Sequence, residues 1–174
     1  MEVFELVRHE VRILQGVASE FIVRFAYFKS RQGRPQSDVN PARDGCGLIW
    51  FGPVVPLTGS HVNRVLELCR PVFREHGFDF SVSIIVVNPR SAVVLMEIFY
   101  DKADATETAR AGALYEHLCG LTARAGYQQY RTNVANMHRL LEPVPQYQRL
   151  LDSMKRAVDL CGTLAPGRYG IGSM

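Results

Sequence analysis

Residues 80–100 read FSVSIIVVNPRSAVVLMEIFY, two apolar runs that flank the turn-forming residues Asn88-Pro89-Arg90-Ser91. Each run has the length of a strand and is rich in β-branched residues, while asparagine and proline favour a chain reversal. The stretch therefore predicts a β-hairpin with strands over residues 80–87 and 92–100. Because the first run is apolar on both faces, the sheet should have an open apolar face that needs a cover.

The segments around this hairpin alternate between strand and helix periodicity. Residues 48–55 form an apolar run of strand length, and residues 127–130 form a short fourth run. Apolar residues recur every three or four positions between Ser60 and Gly77, and again in residues 104–125. The order strand, helix, strand, strand, helix, strand predicts an α+β fold. It is the ferredoxin-like split βαβ arrangement, an antiparallel sheet with both helices on one face.

The chain is predicted to be one domain of three stretches. Residues 1–45 form a helical lead-in and a long exposed loop, residues 46–131 form the ferredoxin-like core, and residues 132–174 form C-terminal helices and a tail. Either the two flanking stretches or another domain can cover the open sheet face. The flanking segments with helical stripes are residues 2–15, 18–28, 137–141 and 146–158.

Composition and charge exclude several classes of protein. No apolar run reaches the 18 residues of a membrane span, and the net charge of +3 is not concentrated on one stripe, so neither a membrane nor a nucleic acid is predicted as a partner. The four cysteines are scattered, and no histidine has a second histidine or a cysteine four positions along its helix, so no metal site is predicted. An acidic N-terminus without a basic region favours a cytoplasmic protein.

Glu97 is the sharpest irregularity in the hairpin. By two-residue alternation it shares a strand face with the apolar residues Val93, Leu95 and Phe99. A carboxylate on such a face must be paired or hydrogen-bonded, because burial of a bare charge is strongly unfavourable. Glu97 is therefore either a site carboxylate that faces a ligand pocket or a structural ion with a partner or a wet face.

Three further residues suit contact with an anion. Tyr130 and Arg131 end the fourth predicted strand, where a neutral hydroxyl donor beside a fixed positive charge can bind an oxyanion. A strand-end tyrosine with a solvated arginine is the alternative. Arg168 lies in Ala-Pro-Gly-Arg-Tyr-Gly, which suits an anion contact and equally an ordinary terminal loop. The chain has no dinucleotide-binding glycine motif, P-loop or nucleophile elbow, so these residues alone define no reaction.

Four segments resemble a known family. They are DGCGLIWFGPV at residues 44–54, YRTN at 130–133, KRAVD at 155–159 and LAPGRYGI at 164–171. In order and spacing, they resemble the C-terminal part of the flavoproteins of the 4-cresol dehydrogenase (para-cresol methylhydroxylase) and vanillyl-alcohol oxidase family. The resemblance implies the cap, or substrate domain, of an FAD-linked oxidoreductase that removes hydride from the benzylic carbon of a para-substituted phenol.

The resemblance also implies roles for the candidate residues. Tyr130 and Arg131 match the pair that holds the phenolate oxygen, and Arg168 matches a basic residue near that oxygen and the flavin. Glu97 matches an acidic residue beside the reacting carbon. The implied cofactor is FAD, bound mainly by an FAD-binding domain or separate chain. The other implied partners are a phenolic small molecule and an electron acceptor such as a cytochrome, and a homo-oligomer is compatible with this family.

Some positions depart from the family pattern. Val93 stands where the family has a histidine, and a second site carboxylate of the family falls near Ile84. Leu48 stands where the oxidase branch tethers flavin through a histidine, so covalent flavin is not implied. These departures favour an alternative function, a stand-alone ferredoxin-like binding or interaction module without catalysis, whereas the four candidate site residues favour the enzyme.

Overall fold

The computed structural model describes residue 8 and residues 11–31, 33, 35 and 37–172. The strands are β1 (Cys46–Phe51), β2 (Val54–Pro56), β3 (Ser81–Asn88) and β4 (Ser91–Asp101). The helices are α1 (Phe21–Phe25), α2 (Gly59–Glu75), α3 (Ala105–Arg124) and α4 (Pro145–Val158), with short 3₁₀ helices at Ala26–Lys29, Met137–Leu140 and Arg168–Gly170. No helix in these ranges is both long and apolar enough to cross a membrane.

The first two flanking segments differ in part from their predicted helices. Of the helix predicted over residues 2–15, residue 8 and residues 11–14 are helical, and most of the others lie outside the described residues. The helix predicted over residues 18–28 starts only at Phe21 and tightens into 3₁₀ geometry after Phe25. The residue before this helix, Glu20, makes no side-chain capping hydrogen bond, so the start of the helix is not fixed by a capping side chain.

The sheet is antiparallel, and each of the other three strands pairs with β4. The predicted hairpin is confirmed, because β3 and β4 are joined only by Pro89 and Arg90. The Arg90 N–H donates to Asn88 Oδ1 at 2.8 Å, so the asparagine side chain closes the turn. The predicted α+β architecture with an antiparallel sheet is therefore confirmed.

Two strand predictions need correction. The strand predicted over residues 48–55 is divided into β1 and β2, because Pro53 lacks the N–H that would return the hydrogen bond it accepts from Val94 at 3.0 Å. The strand predicted over residues 127–130 is reduced to an isolated antiparallel bridge between Pro53 and Gln129. A proline at this junction leaves too few donors for a longer ladder.

Helix α3 begins directly after a capping residue, Asp104, and three residues later Glu107 completes the sequence pattern of a capping box. Asp104 Oδ1 accepts hydrogen bonds from the N–H groups of Thr106 and Glu107 at 2.9 and 3.0 Å. The box is only half formed, because the Glu107 carboxylate accepts from the N–H of Asp101 at 3.2 Å instead of from the capping residue.

Residue contacts divide the chain into two compact units. Unit 1 consists of Met1–Trp50, Cys69–Val82 and Met96–Leu118, and unit 2 consists of Phe51–Leu68, Ser83–Leu95 and Cys119–Met174. Strand β4 and helices α2 and α3 each contribute residues to both units. The division into lead-in, core and tail stays a prediction.

An aromatic cluster fixes the lead-in within unit 1. The Phe99 ring on β4 lies 5.1 Å from the rings of both Phe25 and Phe28, measured between centroids. Trp50 stacks on Phe25 at 6.2 Å. Each such ring pair contributes about 0.5–1.5 kcal/mol beyond the burial of its area. The lead-in therefore covers the sheet at Phe99.

The loop predicted over residues 29–45 is anchored by Tyr27, which is buried. The Tyr27 hydroxyl donates to Asp44 Oδ2 at 2.5 Å and accepts from the Asn40 N–H at 2.9 Å. Burial and the hydrogen bond to the carboxylate raise the pKa of Tyr27. The Arg43 guanidinium and the Tyr27 hydroxyl lower the pKa of Asp44. The end of the loop is thus tied to the 3₁₀ helix at its beginning.

Strand β3 leaves its apolar side chains uncovered in unit 2. Ile84, Ile85, Val86 and Val87 are 48–61% exposed, although all four are large and aliphatic. The cover that the sequence predicts for this strand is not supplied by the described residues. Exposed aliphatic residues that are contiguous in this way mark an interaction surface.

Gly47 and Gly112 give a matched pair of tests for this packing. A Cβ at residue 47 would lie 2.6 Å from three ring carbons of Tyr100, whereas a Cβ at residue 112, inside α3, would meet nothing within 4 Å. Gly47→Ala is expected to lower the free energy of unfolding by about 1–3 kcal/mol through overpacking. Gly112→Ala is expected to raise it by about 0.5–1 kcal/mol. Denaturant titration measures both, and an unchanged Gly47→Ala variant would contradict the close contact.

Candidate functional site

Tyr130 is held in unit 2 by a close approach to the backbone of Gly52. The Tyr130 N–H donates to the Gly52 carbonyl at 3.1 Å. A Cβ at Gly52 would lie 2.9 Å from the Tyr130 ring and 3.0 Å from a methyl carbon of Val93. Only glycine therefore leaves room for both side chains. Val93, which stands at the family's histidine position, thus places an apolar group beside the tyrosine.

Tyr130 and Arg131 form a pair at the surface. The guanidinium carbon of Arg131 lies 5.0 Å from the centre of the Tyr130 ring, within the range of a cation–π contact. Tyr130 is 46% exposed, and Arg131 is exposed as well. The contact keeps a positive charge over the ring of Tyr130, and the use of this pair as an oxyanion site stays a prediction.

Arg168 follows a chain segment that is fastened to α4. The Asp159 carboxylate accepts hydrogen bonds from the N–H groups of Thr163 and Leu164 at 2.9 and 3.0 Å. Lys155 forms an ion pair with Asp159 and also donates to the Leu164 carbonyl. These bonds join two of the segments that carry the family resemblance, KRAVD and LAPGRYGI, into one structure.

The far side of this segment is fastened too. The Gly172 N–H donates to Asp152 Oδ1 at 2.8 Å, and the Gly170 carbonyl accepts from the Gln148 side chain at 3.5 Å. Between these anchors, Tyr169 adopts a φ of 56°, and the Arg168 guanidinium carbon lies 5.7 Å from the centre of its ring. Sequence reasoning assigned no role to Lys155 and Asp159, although their spacing of four residues on a helix is the signal of an ion pair.

Glu97 lies in unit 1, in the middle of β4, and is 1% exposed. Glu97 makes at least one interaction within the protein, and its burial also suits a site carboxylate that is shielded from water. The structure brings Tyr130 and Arg131 together. The convergence of this pair with Arg168 and Glu97 on one pocket stays a prediction.

A cavity of about 400 Å³ lies in unit 2 at the end of α3. Gln129 and Thr132, which flank the Tyr130–Arg131 pair in the sequence, both line it, whereas the pair itself does not. The Gln129 amide donates to Cys119 Sγ at 3.1 Å on its wall. Sequence reasoning missed this cavity because its lining comes from a helix end and an irregular loop that only the fold brings together.

The described residues do not form a complete FAD site. The pyrophosphate of a dinucleotide is normally bound at a glycine-rich turn between a strand and a helix. The connection from β2 to α2 ends at a single glycine, Gly59, where a Cβ would meet nothing within 4 Å, and the connection from β4 to α3 has no glycine. The exposed Arg168 fits a contact with one edge of a flavin, and the remainder of FAD requires other residues.

Comparison with known proteins identifies the relatives of this chain. No protein-family model matches it. The 1'-carboxy-chondrochloren decarboxylase of Chondromyces crocatus is 34% identical over 154 residues, which are 88% of this chain and 28% of that protein. The 4-cresol dehydrogenase (hydroxylating) flavoprotein subunit of Pseudomonas putida is 34% identical over 130 residues, which are 74% of this chain and 25% of that protein.

The fold agrees with this relationship. The crystal structure of p-cresol methylhydroxylase with substrate bound matches 73% of this chain and 25% of its own, with a TM-score of 0.69 and 34% identity. The relatives and structural neighbours of this chain thus include a flavoprotein subunit, a p-cresol methylhydroxylase and a decarboxylase. The chain corresponds to a C-terminal part of the 4-cresol dehydrogenase family, as the sequence resemblance predicted. It spans about a quarter of the length of the relatives that it matches.

The Asp159 anchor has a pH dependence that can be tested. The ion pair with Lys155 and the two backbone donors lower the pKa of Asp159 to about 2 from 3.8. A carboxyl whose pKa is lowered by folding stabilises the protein above its unfolded pKa and loses that contribution as the pH falls. Asp159→Asn should therefore destabilise the protein at neutral pH and have a shrinking effect between pH 3.8 and about 2.

The unfolding midpoints of the wild type and of Asp159→Asn, measured at neutral pH and across this acidic range, give the stability difference at each pH. Glu67→Gln removes an exposed carboxyl from α2 and is the control, with little effect expected at either end of the range. An Asp159→Asn effect of equal size at all pH values would contradict the proposed anchor.

Proposed function

We propose that this chain is the cap, or substrate domain, of an FAD-linked oxidoreductase that oxidises para-substituted phenols. The proposal rests on the exposed Tyr130–Arg131 pair in a chain that is 34% identical to a 4-cresol dehydrogenase flavoprotein subunit. Relatives of the chain are oxidoreductase flavoproteins, which supports membership of this enzyme class. The substrate and the hydride transfer are the proposed part.

The Tyr130–Arg131 pair binds the substrate oxygen in this proposal. A phenol loses hydride from its para-alkyl carbon more readily as the phenolate, because the negative oxygen releases electron density into the ring. The Tyr130 hydroxyl and the Arg131 guanidinium would donate charge-assisted hydrogen bonds to that oxygen and lower the pKa of the bound phenol. The contact with Gly52 holds the Tyr130 ring in place before the substrate arrives, which lowers the entropic cost of orientation.

Arg168 and Glu97 have separate proposed roles. Arg168, held by the anchored tail, supplies a second positive charge near the phenolate and the flavin. FAD, when bound, supplies the acceptor for the hydride. Glu97 is a buried carboxylate, which suits a group that accepts a proton from an alcohol or from attacking water beside the reacting carbon.

An FAD-binding domain or chain is the partner that this function requires. The four exposed aliphatic residues of β3 support such a partner, because they offer an uncovered apolar surface in a chain that spans about a quarter of its relatives. We place the docking surface of that partner on β3. The electron acceptor, the homo-oligomer and the cytoplasmic location stay predictions.

Removal of a carboxyl group from a related substrate is a second candidate reaction. The relative from Chondromyces crocatus, which aligns with 88% of this chain, is named as a decarboxylase. The complex with FAD can be offered a 4-alkylphenol and its analogue with a carboxyl group on the benzylic carbon. Flavin reduction by the alkylphenol supports the first reaction, and release of CO₂ from the analogue supports the second. If neither flavin reduction nor CO₂ release is seen, the alternative of a non-catalytic binding module is favoured. The apolar residues Val93 and Ile84, at positions where the family has polar groups, also favour that alternative.

Arg131→Ala tests the phenolate site. In the complex with the FAD-binding partner, the variant should bind 4-nitrophenolate roughly 10–150-fold more weakly, which corresponds to about 1.5–3 kcal/mol for a hydrogen bond to a charged group. The visible absorbance of the bound phenolate reports the titration. Arg149→Ala removes the same charge from α4 and should leave the affinity unchanged. Equal affinities of wild type and Arg131→Ala would remove the pair from the substrate site.

The isolated chain should purify without FAD. The physical reason is the missing pyrophosphate turn in both strand-to-helix connections of the described residues. The visible absorbance of the purified chain measures bound flavin, because the flavin ring absorbs visible light and the protein alone does not. Stoichiometric flavin in the chain purified alone would contradict the prediction, and co-expression with an FAD-binding partner is the positive control.

A further inference from the structure

Two histidines from different helices meet in unit 1. His76 follows the last residue of α2, and His117 lies in α3. His76 Nε2 and His117 Nδ1 are 3.3 Å apart, and the two rings meet edge to face with centroids 5.6 Å apart. Glu75, the last residue of α2, adds a carboxylate oxygen, and the three ligand atoms lie within 4.8 Å of one another.

The separation of the two nitrogens matches the geometry of a metal site. Zinc binds histidine nitrogens at about 2.0–2.1 Å in a tetrahedral arrangement, which places two such nitrogens about 3.3–3.4 Å apart. The observed 3.3 Å equals this separation. A hydrogen bond between the rings is the competing explanation, and it places a single proton where the metal ion would lie. The carboxylate of Glu75 lies within 4.8 Å of both ring nitrogens and supplies a third ligand, which a metal ion uses and a ring-to-ring hydrogen bond does not need.

We propose that Glu75, His76 and His117 bind one divalent transition-metal ion of the zinc and cobalt class. Two imidazoles and one carboxylate form a ligand set that zinc uses, and water can occupy the fourth position. Glu75 is exposed, so rotation of its side chain can bring the carboxylate to the ion. The carbonyl groups at the C-terminal end of α2 also favour a positive charge there.

The ion acts as a clamp between α2 and α3 within unit 1. Its ligands come from positions 41 residues apart, so binding the ion closes a long loop of chain. The site shares no residue with the Tyr130–Arg131 pair or with the anchor of Arg168. A search for ligands spaced along one helix does not find it, because each helix contributes ligands that only the fold brings together.

The test uses the full chain, prepared without an affinity tag and freed of metal with a chelator. Titration with ZnCl₂ in a calorimeter should show one equivalent of saturable binding, and CoCl₂ should produce the visible bands of a tetrahedral cobalt site. His76→Gln and His117→Gln should each weaken zinc at least about tenfold, since removal of a group that merely supports a ligand already costs roughly 10–100-fold. Glu75→Gln should also weaken it.

His138→Gln is the matched control, because it removes a histidine of the 3₁₀ helix Met137–Leu140 that is outside the cluster. It should leave the affinity unchanged. Zinc should also raise the thermal unfolding midpoint of the wild type and of the control, and not that of His117→Gln. A cooperative unfolding transition without zinc checks that each variant is folded. Absence of saturable binding, or affinity that survives His117→Gln, would overturn the proposal and leave the two rings as a hydrogen-bonded pair.

Discussion

Strand β4 is the constraint on which the sheet depends, because every other strand pairs with it. All eight residues from Ala92 to Phe99 are buried, so both faces of the strand are covered over that length. Burial of each large aliphatic side chain in this run contributes about 1.5–3 kcal/mol. The same burial applies to Glu97, whose carboxylate must find its interactions inside the protein rather than in water. The cost of burying the ionisable Glu97 side chain therefore offsets part of the free energy of folding that its apolar neighbours contribute.

The periodicity of apolar residues was sufficient to predict the regular helices and strands. It was insufficient to predict the places where one residue lacks a backbone hydrogen-bond donor. The hairpin, α2, α3 and α4 follow from the spacing of their apolar residues. The division of β1 from β2 depends on one missing N–H at Pro53, and its effect appears only when the partner Val94 is known. The shortened fourth strand at residues 127–130 is a consequence of the same proline.

The candidate site was predictable by residue type and not by contact. The Tyr130–Arg131 pair is visible as adjacent letters, and its geometry agrees with that adjacency. The requirement for glycine at Gly52 arises from a residue 78 positions away and has no local signal. The histidine cluster, the cavity at the end of α3 and the Asp159 anchor likewise depend on tertiary contact. Local patterns indicate what a side chain can do, and only the fold determines which groups do it together.

The exposed aliphatic run of β3, residues 84–87, has a consequence for how the chain is made in a cell. Residues 84–87 are four uncharged β-branched side chains in succession without a proline, which is the composition of segments that pair edge to edge and aggregate. A partner attached to the same polypeptide would meet this strand at a high effective concentration as soon as both had folded. A partner made separately would have to arrive by diffusion, in competition with other copies of the strand. Covalent linkage to the covering domain would thus protect the chain during synthesis, independently of any benefit to catalysis.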